Sequence, residues 1–425
     1  MGIVMFLVFL LVLAVGAPVF VAFGFSGVFG ITVFNLSNMI TLAQRFFEGI
    51  NSFALLAVPL FTFAGSLMGA GGIGQRLINF AYTLVGHITG GIAHVNVMTS
   101  MLFAHISGTA AADVAFEAEL MMPPMIKKGY SKEFTVAVTA ISSTIGIIIP
   151  PSVPMIIIAG MLGLSTGKLF MGGIIPGFLC GFAMMIVCYI HAKRRKMPRE
   201  GRFEIKKVWA AFKESFLALL MLPLIMISII SGTVSPTEVA LVAVVYALIV
   251  GKFIYKELNW KSFKAALVGT VKTSAKIFMI IGVAQVFGKL LTISGFDQMV
   301  ASALLGISDS PTVILFIILG IFLIVGMVME TISLIVLFMP IFYTVSMQVG
   351  LDPYVMSVLS VIILGVGLVT PPYGLCLFIC CNAQKVRIWD TMSSLLPLII
   401  AVLVVVVLLV YVPWLVIGPA SLLGM

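Results

Sequence analysis

Charge is what this sequence has least of. Of its 425 residues only 9% are charged, against 61% hydrophobic, and the mean hydropathy is +1.24. A soluble domain carries about a quarter charged residues, so this composition excludes an ordinary soluble protein and leaves the lipid bilayer as the solvent. Histidine and cysteine are scarce too, at four and five residues. His87, His94, His105 and His191 show no metal-ligand spacing such as i, i+4. Cys180, Cys188, Cys376, Cys380 and Cys381 lie inside apolar runs, where they read as small buried side chains and not as disulfide or metal partners. No GxxxxGK[ST] loop is present, which argues against ATP hydrolysis by this chain. The short alternating segments of a transmembrane barrel are missing. So are the haem histidines or midmembrane chains of Lys and Glu that a redox or proton-pumping subunit would need. No residue stands out as catalytic.

What remains is a succession of long apolar runs from Phe6 to the end. A helical crossing takes roughly 20 such residues, so an all-α polytopic membrane protein with roughly ten or eleven crossings fits the length. Met1 to Phe23 lacks a basic leader and runs straight into the next apolar stretch, which reads as a retained helix. The formal charge of +9 could suggest nucleic acid, but its distribution points elsewhere. The densest block, Lys193 to Lys213, separates two apolar halves, and further clusters (Lys127, Lys128 and Lys132; Lys252, Lys256, Lys261 and Lys264; Lys385 and Arg387) sit at the ends of apolar runs. Positive charge at such ends marks the cytoplasmic face. That assignment puts the central block inside, both termini outside, and leaves Arg45, Lys168 and Lys289 on or near the outer side.

The two halves repeat. Met122-Pro123 corresponds to Met339-Pro340, Gly129 to Gly350, and Gly146 to Pro151 (GIIIPP) to Gly367 to Pro372 (GLVTPP), once one loop is lengthened; upstream, Gly72 to Gln75 resembles Gly295 to Gln298. The loop with Lys127, Lys128 and Lys132 is basic, whereas its counterpart around Gln348 to Pro353 has no basic residue, so the copies face opposite sides of the membrane. The expected domains are a first inverted repeat over 1–192, a cytoplasmic basic linker over 193–213 and a second repeat over 214–425. Each repeat contains a surface-lying amphipathic segment (about Leu36 to Asn51, and Phe253 to Val271). Each also contains a re-entrant helical hairpin (about 96–124 and 311–347) and a discontinuous transmembrane helix (about 133–163 and 354–381). The stretch from Asn96 to Met122 is too short for two full crossings, and its middle, Ser107 to Asp113, is small and polar.

Pro150-Pro151 and Pro371-Pro372 remove amide donors inside apolar runs and free the carbonyls upstream. A single such site would read as a kink; two in register beside two polar hairpins suggest cation ligands, with half-helix ends supplying partial charges. Glu330 is costly in an apolar run, at roughly 2.5–3.5 kcal/mol on insertion scales, and is functional by default. Asp113, its counterpart ten residues before the matched proline, could equally cap a half-helix. Glu117 and Glu119 are expected to be solvated near the cytoplasmic end. Ser152, directly after the first proline pair, could donate to an anionic substrate or bond its own backbone.

The segments SGTAAADVA (from Ser107), GIIIPPSVP (from Gly146), METISLIVLFMP (from Met329) and VGLVTPPYG (from Val366) resemble signatures of the large membrane subunit of TRAP transporters, of the DctM or SiaM type. The resemblance covers essentially the whole chain. It implies an ion-transporter-superfamily fold, an elevator-type motion, and sodium-driven uptake of an organic acid anion across the bacterial inner membrane, with sialic acid or C4-dicarboxylates as substrates. It also implies two partners: a small four-helix membrane subunit (DctQ/SiaQ type) and a periplasmic substrate-binding protein (DctP/SiaP type). A stand-alone dicarboxylate or citrate carrier of the same superfamily is the nearest alternative. By the same resemblance a first sodium site would use Ser107, Gly146, Ile149 and Pro151, mainly through backbone oxygens, and a second Gly326, Gly367, Thr370 and Tyr373. Ser107, Ser152 and Glu330 would contact the substrate. Glu330 stands where aspartate is commoner and Tyr373 where a smaller residue is frequent.

Overall fold

The computed structural model describes the whole chain except residues 108, 109, 198, 200–202, 231–233 and 425, and the backbone alone at 105–107 and 112. Among the described residues every regular element is helical, apart from an isolated bridge between Thr89 and Arg199. The first half comprises α1 (Gly2–Ala14), α2 (Val19–Phe34), α3 (Met39–Ile50), α4 (Ala57–Ala70), α5 (Ile73–Val85), α6 (Gly91–Ser107), α7 (Ala110–Lys127), α8 (Lys132–Ser142), α9 (Val153–Leu162) and α10 (Thr166–Arg194). The second comprises α11 (Ile205–Leu219), α12 (Met221–Ile230), α13 (Pro236–Ile249), α14 (Trp260–Ile293), α15 (Phe296–Leu305) and α16 (Pro311–Gly326). It continues with α17 (Thr331–Gln348), α18 (Pro353–Gly367), α19 (Leu375–Gln384), α20 (Ile388–Tyr411) and α21 (Trp414–Leu422).

Among the described residues five single helices are long and apolar enough to cross a membrane, or up to seven spans if each of two bent pairs counts as one. The ten or eleven crossings that the apolar runs suggest include the two proline-broken helices, which are not among these spans. Many runs are interrupted, and eight further apolar helices of 10–17 residues stand singly. Local chemistry sets the interruptions. Pro236, Pro311 and Pro353 open α13, α16 and α18 at the first helical turn, where no amide donor is needed. Asn38, Ser131, Ser165 and Asp352 accept from free amides of the helices they precede. The matched glycines behave alike: Gly129 and Gly350 have φ of +88° and +71°, and Gly72 and Gly295 have φ of +76° and +73°. A side chain would be strained at all four.

The segments that the sequence matches between the halves differ in shape. In the first, the amphipathic α3 has no buried residue and is bent by 60° from α4. In the second, the expected surface segment near 253–271 is not a separate element: residues 260–271 are the start of the 34-residue α14. The hairpin helix α6 begins at Gly91, earlier than expected. The expected linker is half helix, because α11 starts at Ile205 and packs on α5, with Trp209, Phe212 and Phe216 in ring contact along it.

Two packing groups result. α4 packs on α13 and α14, α14 also on α2 and α3, and α1 on α2. Phe9, Phe23 and Phe287 stack where α1, α2 and α14 meet, and Gly71 and Gly251 let backbones approach so closely that a Cβ on Gly71 would stand 3.1 Å from the Gly251 Cα. Apolar tails solvate helices as well as other helices do, so such close steric fit is what holds membrane helices together. The other group is the hairpins and interrupted helices, with α10 and α20 around them. Here the halves cross over: α9 packs on α17, and α19 packs on α7 and α8.

Candidate ion and substrate site

Both proline pairs interrupt helices as the sequence implies. α8 passes into a 3-10 stretch, Ser143–Ile147, and resumes as α9 at Val153; α18 ends at Gly367 and α19 begins at Leu375. Both Pro-Pro bonds are cis. In the first break no described amide or hydroxyl donates to the carbonyls of Gly146, Ile149 or Pro151, whereas Ile147 O receives the Ser152 hydroxyl at 2.5 Å. A Cβ on Gly146 would collide with the Asp113 carboxylate, so the hairpin helix α7 reaches the break through that side chain. The side chain of Ile149 is wholly buried and leans on Gly177 of α10. Ser107 ends α6; its side chain lies outside the described residues.

In the second break the contact is backbone on backbone. A Cβ on Gly367 would stand 2.8–2.9 Å from Gly326 atoms, and the amide of Tyr373 donates to Met327 O at 3.1 Å. Gly326, Gly367, Thr370 and Tyr373 are therefore brought together. Gly367 O accepts the Thr370 amide at 3.1 Å, while no described donor reaches the carbonyls of Gly326, Thr370 or Tyr373. The Thr370 hydroxyl donates to Val366 O at 2.7 Å, and the Tyr373 side chain is exposed. The arrangement offers backbone oxygens to a hard cation, which such oxygens suit.

Between the breaks lies a small cavity, about 40 Å³, lined by Ala110 and Ala111 of the first hairpin, Glu330 and Thr331 of the second, and Ile147 and Leu368 of the two breaks. About 10–15 Å³ of such space holds a water, so as it stands the cavity takes a few waters and no organic acid. Glu330 precedes α17, makes no cap hydrogen bond, and has Lys276 of α14 as its electrostatic neighbour. Lys276 is the functional candidate that reading the sequence missed. A lysine in the middle of an apolar helix is the signal that could have found it. Ser152 is buried and its hydroxyl is engaged locally: it donates to Ile147 O and accepts from Met155 N at 3.3 Å, capping α9. Glu119 is exposed as expected, but Glu117 is not solvated; it is fully buried. A larger cavity of about 190 Å³ lies away from both breaks, between α3, α14 and α17, with Arg45 and Lys289 in its wall.

The family model for the "Tripartite ATP-independent periplasmic transporter, DctM component" matches residues 6–415. The chain belongs to this family. It is 36% identical to the sialic acid TRAP transporter large permease protein SiaM of Vibrio cholerae over 94% of this chain and 93% of that one. It is 34% identical to the C4-dicarboxylate TRAP transporter large permease protein DctM of Pseudomonas aeruginosa, over 95% and 94%. The isethionate TRAP transporter permease protein DctMQ of Oleidesulfovibrio alaskensis is 36% identical over 96% of this chain, which spans only 65% of that longer protein. The crystal structure of the YdaH transporter of Alcanivorax borkumensis has the same fold, at a TM-score of 0.62 and 15% identity over 89% of this chain and 88% of that one. This TRAP large permease is thus a multi-pass transporter of the inner membrane and not an enzyme.

Proposed function

We propose that the chain is the sodium-coupled large subunit of a tripartite carrier that takes up an organic acid anion, sialic acid in the first place and a C4-dicarboxylate as the alternative. One observation carries the reading: each proline-broken helix is joined to a hairpin turn, through Asp113 at Gly146 and through Gly326 at Gly367, and the carbonyls there have few donors. Sodium would bind at Ser107, Gly146, Ile149 and Pro151 and at Gly326, Gly367, Thr370 and Tyr373. The substrate anion would sit between them, in an enlarged form of the cavity beside Glu330, with Ser107 and Ser152 at its edge and Lys276 supplying positive charge. Ser152 could serve only if its hydroxyl left Ile147 O.

The residues 1–192 and 214–425 form inverted repeats on this reading, and the hairpin group moves against the α4–α13–α14 group in an elevator motion. A small four-helix membrane subunit and a periplasmic binding protein complete the system. The relatives' names cover sialic acid, C4-dicarboxylate and isethionate, so the common chemistry is an organic anion. Uptake of labelled sialic acid and of succinate by proteoliposomes holding this chain, a cognate small subunit and its binding protein, under an inward sodium gradient, tests the assignment. Saturable uptake of sialic acid alone supports it; uptake of neither acid sinks it.

A further inference from the structure

The side chain of Glu117 is the group the mechanism above leaves unused. It lies wholly buried where α7 meets α6, α8 and α19, one helical turn beyond Asp113, which touches Gly146. Neither of its oxygens is in hydrogen-bond geometry with any partner. The hydroxyls of Ser100 and Ser142 stand beside it, but both turn toward the α6 and α8 backbones and Asn96. Ser100 donates to Asn96 O at 3.2 Å, and Ser142 lies 3.3 Å from Asn96 Oδ1 and 3.4 Å from Thr139 O. Asn96 donates to Thr139 at 2.7 Å. Asn96, Ser100, Asp113, Glu117, Thr139 and Ser142 are all buried, at 0–3% exposure. Among the described residues the ionisable groups that face Glu117 are Asp113 on its own helix and the thiols of Cys376 and Cys380 on α19. From α6, α8 and the 3-10 stretch it meets uncharged Ser100, Ser142 and their network. No lysine or arginine among the described residues is paired with it. A bare buried carboxylate is prohibitively costly unless a cation neutralises it, and the oxygens around it present lone pairs.

We infer that Glu117, with Asp113 and the hydroxyls of Ser100 and Ser142, forms an additional site for a monovalent cation, sodium or a proton, where the first hairpin meets the far half of the second broken helix. This rests on the reading of the chain as a cation-coupled carrier and adds a site to the two placed at the breaks. A cation here ties α7 to α6 and α8, on the face that α19 of the second half covers.

The test uses the purified full-length chain, wild type and Glu117→Gln, with equilibrium binding of radiolabelled sodium at mildly acid and mildly alkaline pH. Wild-type protein that binds no sodium at all defeats the reading of the breaks, which separates that failure from this one. A sodium site makes the variant lose one sodium equivalent, or bind it about tenfold or more weakly. A proton site leaves the sodium count unchanged and removes the pH dependence of sodium affinity. Carbodiimide labelling of wild-type protein, mapped by peptide mass, keeps the test open if the variant does not fold. Labelling of Glu117 should fall on adding sodium chloride in place of choline chloride, or rise at acid pH. Unchanged sodium binding and pH dependence in Glu117→Gln, or labelling of Glu117 indifferent to both sodium and pH, overturns the inference.

Discussion

Single atoms at the breaks decide more than side-chain identity does. Gly367 abuts Gly326, and contacts of 2.8–2.9 Å from an added Cβ to backbone atoms leave nothing flexible to give way. Gly367→Val is expected to abolish sodium-driven uptake, with the folded protein still recoverable from membranes. Ile149→Val keeps the β-branched side chain against Gly177 and leaves the carbonyl in place. It should therefore retain most uptake; the two variants measured side by side check the claim, and equal losses would contradict it. Ser152→Ala removes the cap of α9, with a typical cost of about 0.5–2 kcal/mol. Its thermal unfolding temperature in detergent should fall along with uptake, and uptake lost at unchanged stability would restore the hydroxyl to direct substrate contact. The sequence made the breaks legible because paired prolines have few other uses inside apolar runs. It could not show that the Ser152 hydroxyl turns back to Ile147, since a free hydroxyl and a capping one are spelled alike. Nor could it show that Glu117 is buried, because α19, which covers it, lies far along the chain.

At the scale of elements, the pairs that matter lie across packing groups. The positive charge of Lys276 on α14 acts on Glu330 at the start of α17, across two helices that pack on each other. A double-mutant cycle on uptake with Lys276→Ala and Glu330→Ala should show coupling, the double variant losing less than the two single losses combined, because the effects of interacting charges are not additive. Independent, additive losses would place the two charges in separate roles. Local turn geometry was readable from the matched segments, as the left-handed glycines at Gly129 and Gly350 illustrate. Element shape was not: the expected surface segment is α3, bent from α4, in one half and the start of the continuous α14 in the other. Tertiary packing of α14 against α2, α3, α4 and α17 sets that difference, and no local residue pattern records it.

The whole molecule is organised by the bilayer and by charge. Lys196 is exposed beyond the end of α10, in the basic block that separates the halves. A cysteine introduced by Lys196→Cys should react with a membrane-impermeant thiol reagent only once the cytoplasmic face is opened, as the placement of positive charge requires. Labelling in cells with only the outer membrane permeabilised would contradict the inverted arrangement. Coupling is the central claim. Sodium held by oxygens of both a hairpin and a break would favour the same closed geometry that binds the anion, and by linkage each ligand raises the other's affinity by the same factor, typically about 5–150-fold. The most direct measurement is substrate uptake into proteoliposomes carrying the complete three-part system, with external sodium or with potassium in its place. Uptake that requires sodium and rises with the inward sodium gradient is the result expected; equal uptake in potassium with no sodium gradient would contradict the account.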